Sequence, residues 1–208
     1  MNQATRSSIS PGMLLWLFLR PHTAFKDLAE KRPSPGSVFF RLIIWMALFP
    51  PLLAFIGSSV FGWRLGAGDP IFLPRDTLIA VCAAYFVALL IGFMSTAFVA
   101  QWMAGTYGAR GSLGIHMALV TIVSAPLIVG TIIHVYPHVF INIMVLVPAL
   151  MWSMYLLYAG LPVVLKISPE RGMLMASALI GYLLVAAVSL LGITVFLWIN
   201  GIGPRVGV

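Results

Sequence analysis

The sequence predicts an all-α integral membrane protein: five transmembrane helices in a single domain, preceded by a short amphipathic N-terminal interfacial segment. Three observations carry that expectation. Of 208 residues, 61% are apolar and 8% charged, and the mean hydropathy is +1.05. A soluble domain carries roughly 25% charged residues, so this chain cannot cover itself with a water-facing surface. Its apolar residues gather into five stretches, each about as long as the roughly 20 residues a helix needs to cross the hydrocarbon. No Asp, Glu, Lys or Arg falls in the middle of any of the five.

Residues 1–36 form the interfacial segment, 37–200 the membrane domain and 201–208 a short tail. The leading apolar run, 13–19, is too short to span. Arg20, Lys26, Lys31 and Arg32 follow it, where a cleavable signal would carry small residues. Leu14, Leu15, Trp16, Phe18 and Leu19, then Phe25 and Leu28, are expected among the lipid headgroups, with the basic side chains toward water. Pro21 divides this segment into two short helices. On this reading the segment can be removed without unfolding the five-span core.

The first span, 38–61, begins near Arg41, whose side chain can snorkel to the interface. It contains Pro50 and Pro51, two successive residues without an amide donor, which are expected to kink or break the helix. Trp63, Gly66, Gly68, Asp69 and Pro70 make the next connection, and Asp76 is placed to cap the second span, 77–104. That span exceeds the minimum length and should tilt or extend past the bilayer. Tyr107, Gly108, Arg110 and Gly111 turn the chain into the third span, 113–133. Pro126 lies inside the third span and Pro148 inside the fourth, 138–161; both are read as helix breaks. Ser168 and Pro169 suit the N-cap and first helical position of the last helix, whose apolar stretch covers 173–200.

Lys and Arg number nine on the side of the N-terminus and three on the other. The positive-inside bias then puts the N-terminus in the cytoplasm and the C-terminus outside. The excess of 12 Lys and Arg over 5 Asp and Glu flanks apolar segments, where anionic lipid acts on it. Membrane lipids are therefore the expected partners, with a membrane-protein partner or a homo-oligomer joined through helix packing, and nucleic acid is not among them. Cys82 is the single cysteine, so no intramolecular disulfide can form.

Between lipid-immersed helices, small residues allow close backbone approach. In the second span Ala80, Ala84, Ala88, Gly92, Thr96, Ala100 and Ala104 follow one another four apart, tracing a slanted helix-packing seam. Chemistry is sparse by comparison. Ion-coupled transport commonly uses buried carboxylates or histidines, and the polar residues here (Gln101, His116, His134, His138, Asn142, Asn200) fall near segment ends. His134 and His138 are four apart, but Pro137 interrupts them and no third ligand is near. His116 reads as an interfacial residue at the start of the third helix. No nucleophile elbow or phosphate-binding glycine loop is present. The sequence thus nominates no catalytic, cofactor-binding or metal-ligating residue.

Several stretches resemble the Yip-domain membrane protein family. RPHTAFKDLAEKRPSPG is similar to the leading segment of its bacterial members, and PPLLAFIGSSVFGWRLGAGD to the end of the first span in the YohC-like branch. SAPLIVG places Pro126 where the family has a proline in its third span. MYLLYAGLPVVLKISPERGMLMASA is similar to its passage from fourth to fifth span. The resemblance implies the five-span fold and a bacterial cytoplasmic-membrane location. The acidic-aromatic DLYGP motif of the eukaryotic trafficking members is absent, so their GTPase partners are not carried over.

The expected function is that of a non-enzymatic inner-membrane protein acting through lipid or membrane-protein interaction. The alternative is a small-solute transporter or channel, whose cavity would be framed by the prolines and by the glycine-rich exit of the first span.

Overall fold

A computed structural model describes residues 21–200, and over that range the chain is helical, with no strand and two isolated β-bridges. Helix α1 covers Pro21–Glu30. Five helices long and apolar enough to cross a membrane follow: α2 (Pro35–Phe61), α3 (Arg75–Ala104), α4 (Leu113–Val135), α5 (Val139–Leu165) and α6 (Pro169–Ile199). At 1.5 Å per residue, the 31 residues of α6 reach about 46 Å, against hydrocarbon about 30 Å thick. Tilt or projection into the headgroup layers takes up the excess.

The centre of the bundle is α4. It has no polar stripe to turn toward water, and a helix apolar on every side belongs inside protein or lipid. Here protein surrounds it: α1, α2, α3 and α5 all pack on it. Ten consecutive residues, 114–123, are buried. Helix α6 lies outside, against α5 and α3, and the hydroxyls of Tyr158 and Ser177, 2.9 Å apart, join α5 to α6. Beyond Leu179, α6 is largely exposed, and side chains such as Leu184, Val188 and Leu191 are turned to the surroundings, which for a spanning helix means lipid or another protein.

The interfacial reading of Phe25 and Leu28 does not hold. Both are wholly buried, together with Ala24, and α1 lies across α5 and α4. Gly160 makes the place for it: a methyl group there would lie 2.5 Å from Cε1 and Cζ of Phe25. An amphipathic helix presents the same apolar stripe to a headgroup layer and to a protein groove, and the groove is supplied 135 residues further along the chain. The residues read as the first interfacial helix, Leu14, Leu15, Trp16, Phe18 and Leu19, lie outside the described residues, as does the 201–208 tail.

Pro50, Pro51, Pro126 and Pro148 sit inside helices that run on past them. Each withholds one backbone donor from the carbonyl four residues earlier without ending its helix. Upstream of the first pair, Phe39–Ile43 forms one wider turn, in which the Ile44 N–H donates to the Phe39 carbonyl. A turn of this kind absorbs an extra residue without ending the helix.

The N-cap of α3 is Pro74 rather than Asp76. Asp76 falls in the first turn, where its charge still faces the positive end of the helix dipole. Ser168 is the N-cap of α6, with Pro169 in the first turn. Helix α5 runs one turn further than the apolar pattern indicates, through Pro162 to Leu165, and ends on Lys166 in the left-handed conformation at φ 54°.

Candidate functional site

Polar side chains gather at the two ends of the bundle. The first end is built around His134. Trp63 and Ile71 exchange backbone hydrogen bonds of 2.8 Å, closing the α2–α3 connection into a loop. Arg64 N–H donates to the Pro137 carbonyl and Val139 N–H donates to the Arg64 carbonyl, both at 3.0 Å, which ties that loop to the α4–α5 turn. Gly57 lets α2 approach this turn, because a methyl group there would run into the carbonyl oxygens of His134 and Val135.

Behind the loop lies a cavity of about 430 Å³ between α2, α3, α4 and α5. Its walls are mostly apolar, from Ala54 and Trp63 to Leu146 and Leu150, with Ser58, Tyr85, His134 and Asn142 supplying polar atoms. The hydrogen bonds there have a definite direction. The Asn142 Nδ2 group donates to the carbonyls of Tyr136 (3.2 Å) and His138 (2.9 Å), which can only accept. Asn142 Oδ1 therefore faces His134 and accepts from its Nδ1–H at 2.6 Å. In a neutral ring His134 Nε2 is then the acceptor, 3.5 Å from the Tyr85 hydroxyl. One relay thus links α3, α4 and α5.

That relay is a poor metal site. His134 Nδ1 is a donor, and the ring of His138 stacks on Tyr136 with centroids 6.2 Å apart. Among the described residues no three His, Cys, Asp or Glu side chains come together. The sequence presents His134 and His138 as a pair four apart and Asn142 as a polar residue near a segment end, and it does not single out Tyr85. The available signal was a phenol placed inside an apolar span, which needs a hydrogen-bond partner there.

The second end is built around Arg110. His116, read as interfacial, is fully buried. Its Nδ1–H donates to the Ser112 carbonyl at 2.9 Å, and its Nε2 is buried without a partner. Close by, a pocket of about 500 Å³ opens where three connections converge: α1–α2, α3–α4 and α5–α6. Lys31, Arg32, Arg110 and Lys166 line it, with Gly108, Gly111 and Ser112. No single connection is rich enough in charge to announce this pocket in the sequence; it exists only once the three meet.

The small-residue row of α3 divides in two. Thr96, Ala100 and Ala104 are buried against the rest of the bundle, whereas Ala80, Ala84 and Gly92 are exposed and Ala88 is half-buried. Ala88, Gly92 and Thr96 border a cleft of about 190 Å³ that Leu179 and Leu183 of α6 close from the other side.

Comparison with known proteins agrees with this architecture. The Yip1 domain family matches residues 16–191. Inner membrane protein YohC of Escherichia coli, in strain K12 and in strain O6:H1, is 30% identical over 189 residues, covering 91% of this chain and 96% of the relative. No solved structure matches it. With the family match extending from the leading segment into the last helix, the chain belongs to the Yip1 domain family of membrane proteins.

Proposed function

We propose that the chain is a non-enzymatic protein of the bacterial cytoplasmic (inner) membrane that acts by holding lipid or another membrane protein. Its N-terminus lies in the cytoplasm and its C-terminus outside. The observation that carries this reading is the packing of α4 between the two polar ends. Residues 114–123 are buried without interruption, which at 1.5 Å per residue is about 15 Å, half of a hydrocarbon core about 30 Å thick. Two polar side chains lie inside that stretch, and both bond to the backbone on their own side of the bundle: Thr121 donates to the Met117 carbonyl at 2.6 Å, and His116, one turn from the basic end, donates from Nδ1 to the Ser112 carbonyl at 2.9 Å. A solute path would need polar atoms or water along that length. The name of the relatives, an inner membrane protein, supports the location, and the distribution of Lys and Arg supports the orientation.

The cavity beside His134 favours the second reading, a transporter or channel for a small solute, because it penetrates the bundle from one end and carries a hydrogen-bonding wall. Proteoliposomes containing the purified protein, loaded with a panel of ions and small neutral metabolites, separate the two. Release at the rate of empty liposomes is expected. Protein-dependent flux of any one solute, reduced by Tyr85→Phe or Asn142→Leu, would establish transport instead.

A further inference from the structure

The pocket at the Arg110 end gathers cations that elsewhere would repel one another. Lys31 and Arg32 come from the α1–α2 connection, Arg110 from α3–α4 and Lys166 from the end of α5. Among the described residues no carboxylate lines the pocket: Asp27, Glu30 and Glu170, the acids of this end, are not among its walls. A fifth cation stands beside it, since a methyl group on Gly108 would meet Arg171 Nη1 at 2.5 Å. Like charges held together without a counter-charge are destabilising, and a bound anion removes that penalty.

Two further features belong to the same place. Gly111 and Ser112 line the pocket at the start of α4, and the Ser112 side chain makes no capping hydrogen bond, which leaves a hydroxyl donor and the positive end of the helix dipole available. The remaining walls include Ala29, Ile115, Val164 and Leu165, so the cations rise from an apolar floor next to the membrane-crossing helices. A volume of about 500 Å³ is within the ordinary range of small-molecule sites.

We propose that this pocket binds a phosphate-bearing anion, supplied by the headgroup of an anionic phospholipid whose acyl chains remain among the helices. Lys and Arg donate to the phosphate oxygens, and the apolar floor meets the glycerol and upper chains. This rests on the lipid-interaction reading above and names the class of lipid.

The test uses the full-length protein in a neutral detergent, with calorimetric titration of dihexanoyl-phosphatidylglycerol, dihexanoyl-phosphatidylcholine and inorganic phosphate. Saturable binding of the phosphatidylglycerol, and much weaker binding of the other two, is expected. One cation near an anionic group is worth about fivefold in affinity, so Arg110→Gln with Lys166→Asn should weaken binding about thirtyfold, and Arg110→Gln alone about fivefold. Asn tolerates the left-handed backbone of residue 166. Charge-keeping Arg110→Lys with Lys166→Arg should retain binding, as should Arg75→Gln at the opposite end.

Equal binding of the two lipids, or no change in the double variant, overturns the site. Inorganic phosphate binding as tightly as the lipid overturns the lipid source. If the double variant does not elute as folded protein, Arg110→Gln alone decides. Absence of lipid binding with no solute flux leaves a protein partner as the interaction; solute flux overturns the interaction reading whichever lipid is held.

Discussion

Gly160 and Phe25 meet at a distance that leaves no room for a side chain on the first of them. Replacing Gly160 with Ala must push the ring aside, and overpacking of this kind costs about 1–3 kcal/mol. Thermal unfolding in detergent should show the loss, and Phe25→Leu in the same chain should recover part of it. A Gly160→Ala protein as stable as the parent would mean that the ring is not seated there. Asn142 is a second pivot, since it satisfies two carbonyls and His134 Nδ1 at once. Asn142→Leu should destabilise by about 1–2 kcal/mol, the upper range for hydrogen bonds between membrane helices, whereas Tyr85→Phe, which gives up one long contact of 3.5 Å, should cost less. The sequence shows Asn142 and His134 as polar residues near segment ends but not as partners. Their pairing depends on how the chain turns between α4 and α5, and Tyr85 reaches them from 49 residues away.

At the level of elements, α1 changes status most. Its apolar residues Phe25 and Leu28 were legible, and so was a short helix starting near Pro21. What covers those residues was not, because the groove belongs to α5 and α4. Burial against protein rather than headgroups predicts a different truncation result from a detachable segment. Removing residues 1–20 should leave a bundle that still elutes as a single folded species, while removing 1–31 uncovers the groove and should lower the unfolding temperature or cause aggregation. Each buried Phe or Leu is worth about 2 kcal/mol where water is the alternative, and this helix precedes the spanning part. A 1–31 deletion as stable as the full chain would return α1 to the interface. The row of small residues on α3 is an element-scale feature that the sequence displays whole, yet the bundle uses it unequally. Thr96, Ala100 and Ala104 are packed inside, Ala80 and Ala84 are exposed, and Gly92 is exposed on the wall of the cleft beside α6. Four-residue spacing specifies a line on the helix surface, not what lies against each part of it.

For the whole molecule, five helices follow from hydropathy and length alone, because lipid leaves a backbone few ways to satisfy its polar groups and an isolated helix is one of them. Family membership rests on the order of segments and on the match across residues 16–191. The two polar ends are a property of the assembled bundle. The His134 relay needs α3, α4 and α5 together, and the basic pocket needs three connections to converge. Between them, the buried stretch of α4 separates a cavity open at one end from a cation-lined pocket at the other, an arrangement suited to holding partners at a membrane surface. That separation assigns sides only if the helices alternate across the bilayer an odd number of times. The direct measurement is thiol accessibility in intact cells, using Cys82→Ser protein with a single reporter, Ser7→Cys in one version and Val208→Cys in another. A membrane-impermeant maleimide should label residue 208 from outside and residue 7 only after the membrane is opened; labelling of both from the same side would contradict a five-span bundle.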